Sequence, residues 1–428
     1  MDNFVININD FPQDRTVLFL KEDYRLKLFN KSMEIFGSNK EFLKFFNRKN
    51  YNFIETWKNG KITRNSKWIT KQGIVLNHIF KLSDYLINKG YKEFNIRNIQ
   101  RNIISYKFKG KSLLVNNPKL PINIKPELFR IIAHMICDGS ALDNNTHYYK
   151  NIRKELLEQL RNDLILVFGN VETTLKKEII IIPSMLMKIL SKKYNFRAGT
   201  FDSRIPEILF RLPREYSKLF IQAFFDDEGT VSDSNLKFYS FNKYLLNDLR
   251  TLILTKFPEF NSISELRQRE KTQKSGKKGI EYHFVIGSKD IATYQSLISS
   301  SHNIKKKDID FSIKIKNKKW NHRNKGLTKI MILKFLIEKP KTVKEISRNV
   351  FTSKTTVRKH IKGYNNYRKR NCKSLIDLGL IKFDRIGEYN SLVYNITNEG
   401  KEYLKKLLNM NMLNKDIRKS LKEELDER

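Results

Sequence analysis

Two short runs end alike: Ile131-Ile132-Ala133-His134-Met135-Ile136-Cys137-Asp138-Gly139 and Ile221-Gln222-Ala223-Phe224-Phe225-Asp226-Asp227-Glu228-Gly229. Each is an apolar, helix-like stretch with alanine at its third place, then an acid and a glycine. As helices they put Asp138 and Glu228 in the last turn, with the glycine as a left-handed cap. A carboxylate there faces the negative end of the helix dipole, unfavourable by a few tenths to about 1 kcal/mol. Ala133 and Cys137 share one face, matched by Ala223 and Asp227, and small residues let two helices approach closely. Packed side by side, the helices bring Asp138 and Glu228 together, and the two charges call for a cation between them. Oxygen-only ligation selects a hard divalent ion such as Mg2+. Two or more such ions at this interface would activate a water and stabilise the leaving oxygen of an in-line displacement.

The acids lie 90 residues apart, which suits a duplicated unit. After Glu228-Gly229 come a polar stretch, the alternating strand Leu236 to Phe241, and a helix from Asn242 to Phe257 with leucines at helical spacing. A basic loop, the strand Tyr282 to Ile286 and a helix from about Ser288 complete the unit. After Asp138-Gly139 the order is similar: a polar turn, Tyr148-Tyr149, a helix over Arg153 to Phe168, a strand over Glu178 to Ile182, and a helix over Ser184 to Lys193. The fold class is therefore α+β, with one unit used twice across residues 123–302 after the proline-marked junction Leu120 to Pro126.

The partner follows from charge. Lys and Arg number 83 against 45 Asp and Glu, a formal net charge of +38 in 428 residues. A charge of that size repels itself unless it meets a polyanion; DNA or RNA is the first candidate, double-stranded DNA being the partner expected here, and an anionic membrane surface is the other. Hydrophobic residues make up 40%, enough for real cores. No apolar run is long enough to span a bilayer, and Met1-Asp2-Asn3-Phe4 has no secretory pattern. Two cysteines build no disulfide framework and are expected as free thiols in a reducing compartment, the cytoplasm, beside the nucleoid.

Residues 1–122 are expected to be a mainly helical domain. Helices are expected at Asn39 to Phe46, capped by Asn39, and at Asn52 to Asn59, stopped at Asn59-Gly60. The pair resembles a small helix-turn-helix. Residues 303–325, rich in lysine and arginine, are expected to be a basic linker. Residues 326–410 resemble a winged helix-turn-helix. Its elements are a helix over Leu327 to Glu338, a helix opened by the capping pair Thr342 and Glu345, a third over Ser353 to Ile361, and strands Lys382 to Asp384 and Leu392 to Ile396 joined through Gly387 to Asn390. Its third helix offers Lys354, Thr355, Arg358 and Lys359 to a major groove. Lys237 on its strand and Arg204 before the second motif are further candidate DNA contacts. Residues 411–428 are expected to be a charged tail.

The paired motifs, with the basic, proline-marked stretch Arg204-Ile205-Pro206-Glu207-Ile208-Leu209-Phe210-Arg211-Leu212-Pro213 leading to the second, resemble the LAGLIDADG homing endonucleases with two motifs in one chain. The resemblance covers about 180 residues. It implies a duplicated αββαββα pseudo-dimer in a monomer, saddle-shaped sheets on the major groove, and motif helices at the centre. It puts the metal-binding acids on Asp138 and Glu228. A lysine that the family often keeps at the start of a repeat's last helix falls on Lys289, whereas the first repeat has Met185 there. The resemblance departs at the sixth motif place, Ile136 against Asp226, and at the seventh, where Asp227 is larger than the small residue expected. The implied activity is a metal-dependent DNA endonuclease cutting both strands at a long site, with intron homing as its setting. The alternatives are a DNA-binding regulator or an RNA-splicing maturase that has lost cleavage. A first-residue nucleophile and a terminal His-Asn are missing, so a free-standing protein is expected rather than an intein.

Overall fold

A computed structural model describes residues 5–64, 68–71, 73–110, 112–143, 146–199, 203–232, 235–272, 276, 278–317, 327–363, 373–387 and 391–409. The charged tail, the end of the basic segment beyond 317 and the turn 388–390 lie outside them. Two compact units divide the chain: residues 1–230 with 236–306, and residues 307–428 with 231–235.

At the centre of the first unit two helices pack against each other, Pro126–Cys137 and Arg214–Glu228. Pro126 opens the first at a position where its missing amide costs nothing. Both are apolar well beyond a single stripe. Ile131, Ile132, Ala133 and Met135 of the first and Phe220, Ile221, Ala223, Phe224 and Phe225 of the second are fully buried. Helices buried nearly all round belong to a core rather than a surface.

Each helix is followed by the same architecture. Strands Gly139–Asp143, Thr146–Lys150, Thr174–Lys176 and Ile179–Pro183 form a four-stranded sheet in the spatial order third, fourth, second, first. Strands Gly229–Val231, Leu236–Ser240, Arg267–Thr272 and Lys278–Ile286 repeat that order. A helix crosses between the two strand pairs in each copy, Lys154–Phe168 and Lys243–Lys256. Asn242 caps the latter by accepting from the Leu245 amide at 3.0 Å. The last helix of the first copy is Ser184–Tyr194. In the second a 3-10 turn, Ser288–Asp290, precedes Ile291–Leu297. The α+β class and the duplicated αββαββα order stand as the sequence implied.

Three expectations change. Residues 1–122 do hold helices, Glu22–Phe36, Asn39–Phe45, Asn52–Asn59, Leu76–Asn88 and Ile96–Arg101. They also hold a sheet: Thr16–Leu20, Ile74–Val75, Ile103–Phe108 and Val115–Asn116 join Asn170–Val171 from the first repeat in five strands. Their β-branched and aromatic runs bury Val17, Leu18, Leu20, Ile103, Tyr106 and Phe108. Second, the cap of Asn39–Phe45 is Ser38, whose hydroxyl accepts from the Glu41 amide. Gly60 ends Asn52–Asn59 at φ 61°, as the Asn-Gly signal indicated. Third, the basic segment begins as a helix, Asn303–Asn317, with Ile309 fully buried on it. His302 Nδ1 caps it by accepting from the Ile304 amide at 3.2 Å.

In the second unit, helices Leu327–Leu336, Val343–Asn349, Lys354–Lys362 and Asn398–Asn409 surround a three-stranded sheet of Lys341–Thr342, Leu392–Ile396 and Ile381–Ile386, in that spatial order. Leu333, Leu336, Ile346, Val357, Ile361 and Tyr394 form its core. Thr342 and Glu345 make the expected reciprocal cap. Cys137 is a free thiol. Among the described residues no helix is long and apolar enough to cross a membrane.

Candidate active site

Both motif acids sit where their helices stop. Asp138 is the residue that ends the first helix, its amide bonded to the His134 carbonyl at 3.0 Å. Glu228 is the last residue of the second, and the Gly229 amide bonds back to the Phe225 carbonyl. The glycines do not act as left-handed caps. Gly229 is extended at φ −90°, and Gly139 also has no positive φ. Their role is steric: a Cβ on Gly139 would lie 2.3 Å from the Met135 carbonyl oxygen, and one on Gly229 2.5 Å from that of Phe225. The first strand of each sheet thus leaves its helix with no space for a side chain.

Four carboxylates gather here, and they divide into two kinds. Asp227 has no exposed side-chain surface and is fully engaged. It pairs with His134 Nδ1 at 2.8 Å and accepts from the Tyr149 hydroxyl at 2.7 Å and Asn151 Nδ2 at 3.3 Å. These partners belong to the first repeat, so Asp227 ties the two copies together at a position expected to be small. Asp226 is likewise satisfied by the Ser300 hydroxyl and, at 2.9 Å, the Ser301 amide. Glu228, by contrast, makes no hydrogen bond or ion pair among the described residues, and Asp138 has only a long 3.5 Å contact from Asn151.

Charge follows the same division. Burial lowers the pKa of His134, but the adjacent Asp227 more than reverses this and the net shift is upward, favouring the imidazolium. The Lys305 ammonium donates to the carbonyls of Phe225 at 2.8 Å and Asp226 at 2.7 Å and lies 5.3 Å from the Phe225 ring centre. Burial lowers its pKa below the ordinary lysine value, against the pull of Asp226, Asp227, Glu228 and Asp138. His134 is paired with Asp227, whereas Asp138 and Glu228 have no ion pair among the described residues and feel only the fields of Lys305 with His134 (Asp138) or Lys271 (Glu228). Burial, then the Asp227 and Glu228 charges, push the Asp138 carboxyl up to about 8. Burial, then Asp227, push Glu228 up to about 7.

Two acids without an ion pair among the described residues, made costly by burial and mutual repulsion, are a donor set that fits hard divalent cations. Among the described residues no group of three His, Cys, Asp or Glu side chains could hold a metal by themselves. Remaining ligands would have to come from water or a phosphate, as is usual for magnesium.

The sequence pointed to Asp138 and Glu228, which lie together, but missed Lys305, His134, Tyr149 and Asn151. Lys289 sits in the 3-10 turn Ser288–Asp290, whose Asp290 accepts from the Asn261 and Ser262 amides. The cations with the largest effect on Glu228 are instead Lys305 and Lys271. Arg204 forms a two-pronged pair with Asp248, at 2.5 and 2.8 Å, and lies 5.7 Å from the Tyr244 ring.

The outward faces of the two sheets differ. Strand register places Lys237, Arg267, Arg269 and Lys271 on one face of the second sheet, with His283 and Glu281 between them. Arg269 and Lys271 both pair with the Glu281 carboxylate. Arg269 also lies 5.0 Å from the Tyr239 ring. The outward face of the first sheet carries Ser140, Tyr148, Lys150, Thr174 and Lys176 instead, with Ile179 and Ile181 between them. In the second unit Lys354, Thr355, Arg358 and Lys359 all lie on helix Lys354–Lys362, whose Val357 and Ile361 face the core.

Two family models match parts of this chain. Residues 215–299 match the LAGLIDADG-like domain family, and residues 323–407 match a family described as EarA-like. The first match holds the second motif and the repeat that follows it. Two solved structures of I-DmoI, one in complex with DNA and Mn and one a variant with its target DNA in the presence of Mg, are 11% and 12% identical. Each comparison covers 40% of this chain and 96% of the other, at a TM-score of 0.27. A stretch of 61 residues is 38% identical to the DNA polymerase II large subunit of Thermococcus kodakarensis, covering 14% of this chain and 3% of that protein.

Proposed function

We propose that this chain, whose middle region belongs to the LAGLIDADG family, is a site-specific endonuclease that cuts both strands of DNA. The observation that carries this reading is the pair of carboxylates without an ion pair among the described residues, Asp138 and Glu228, ending two packed helices that each lead into a four-stranded sheet. In this reading residues 123–302 are the cutting domain, and one chain supplies both halves of the site as a monomer.

Asp138 and Glu228 would hold a divalent ion, magnesium by the hardness of their oxygens, which when bound supplies charge to activate water and stabilise the leaving oxygen. The rest falls to this chain's own side chains. Asp227, fixed by His134 and Tyr149, holds Asn151 within reach of Asp138. Lys237, Arg267, Arg269 and Lys271, on one face of the second sheet, would present donors to phosphates. Residues 326–410, with helix Lys354–Lys362 as the reading helix, would be a winged-helix module that adds contact without adding chemistry.

The test is a supercoiled plasmid library of random sites, incubated with magnesium or with EDTA. Asp138→Asn and Glu228→Gln are expected to keep binding and lose cutting. Variants that cut like the wild type would remove the metal assignment. A wild type that binds selected sites and never cuts them would make the chain a DNA-binding regulator.

A further inference from the structure

We propose that Lys305 is a built-in counter-cation of the metal site: its ammonium takes up charge that a divalent ion would otherwise neutralise, and so weakens metal uptake by the free protein. This rests on the assignment of Asp138 and Glu228 as metal ligands.

The ammonium is held in place, not left on a mobile stem. The segment Ser300 to Lys305 wraps the end of the second motif helix. Ser300 and the Ser301 amide bond Asp226, His302 Nδ1 accepts from the amides of Ile304 at 3.2 Å and Lys305 at 3.5 Å, and the Lys305 side chain turns back onto the Phe225 and Asp226 carbonyls. Those carbonyls carry the negative end of the helix dipole, so the ammonium sits where a cation is favoured before any carboxylate is counted. Its field reaches Asp226, Asp227, Glu228 and Asp138. A second positive charge brought to Asp138 and Glu228 must therefore work against a first that is already fixed, in a setting where charges are poorly screened. The arrangement is one-sided, since among the described residues the Lys305 ammonium bonds the second motif helix and not the first. The cation lies outside both repeats, on a helix the chain adds after them.

The experiment is calorimetric titration of the whole, DNA-free protein with Mg2+ and with Ca2+. Lys305→Gln keeps an amide donor for the two carbonyls and removes the charge; Lys305→Met removes both. Both variants are expected to bind about tenfold or more tightly than wild type. Lys306→Gln, which removes an equal charge from the exposed neighbouring position, is expected to stay within about twofold. Loss of packing alone would weaken binding, so tightening is a readout that a merely structural role cannot produce. Equal or weaker binding by Lys305→Gln, with its cooperative melting retained, overturns the role of Lys305 and leaves the metal site standing. If neither wild type nor variants bind either ion, the metal assignment fails, and this role fails with it.

Discussion

Asp226 and Asp227 are satisfied by the protein itself, whereas Asp138 and Glu228 are not, and that difference sets how the site should respond to pH. A carboxyl whose folded pKa is raised holds a proton that the unfolded chain releases, so its contribution to stability is present at low pH and is lost as pH rises. For Asp138 the window runs from 3.8 to about 8, and for Glu228 from 4.5 to about 7. The melting temperature of the metal-free protein is therefore expected to fall between about pH 5 and pH 8 from these two groups. Added magnesium should recover more of it at pH 8 than at pH 5, because the ion needs the deprotonated ligands. Melting curves in EDTA and in magnesium across that range check both statements; a magnesium effect that shrinks as pH rises would contradict them. The two acids were legible because helix, acid and glycine are contiguous. Their surroundings were not. His134 lies 93 residues from Asp227, Tyr149 lies 78 from it, and Lys305 lies 80 from the Phe225 carbonyl that it bonds. Only the fold brings such pairs together, and in sequence Lys305 is one of three consecutive lysines.

At the scale of elements, the motif helices were readable from their apolar runs, and the strand and helix order of the second copy followed from alternation and leucine spacing. The glycine after each acid was readable as necessary, though for the wrong reason: the constraint is the nearby carbonyl, not a left-handed turn. The first sheet of the chain was missed because its strands are short and separated, and one of them is contributed from residue 170 onward. The pair between the helices has an energetic consequence. His134 and Asp227 have no exposed side-chain surface, and breaking such a pair by removing one partner typically costs about 3–5 kcal/mol. Asp227→Ala is expected to lose about that much in denaturant unfolding, because it leaves His134 and Tyr149 without their acceptor. The exposed pair Arg211–Glu207 is the comparison: Glu207→Ala should change stability by less than about 1 kcal/mol. Equal effects from the two variants would show that the helix interface does not depend on the charge.

For the whole molecule, a formal charge of +38 pointed to nucleic acid before any element was placed, but charge alone does not say which surface uses it. Register does. The two sheets share one strand order, yet their outward faces differ: four cationic side chains from two strands in the second, two lysines among hydroxyl groups and isoleucines in the first. A grip made by neutralising phosphates weakens steeply with salt, by roughly 0.9 in log affinity per log unit of salt for each phosphate neutralised. A grip made by hydroxyls and an aromatic ring does not. The two halves of a bound duplex should therefore let go one after the other as ionic strength rises. Footprinting at increasing salt should show protection fading first over the half-site beneath Lys237, Arg267, Arg269 and Lys271, with the other half persisting. A site of this kind would have a first and a last point of release, a polarity along the DNA that two identical halves could not impose.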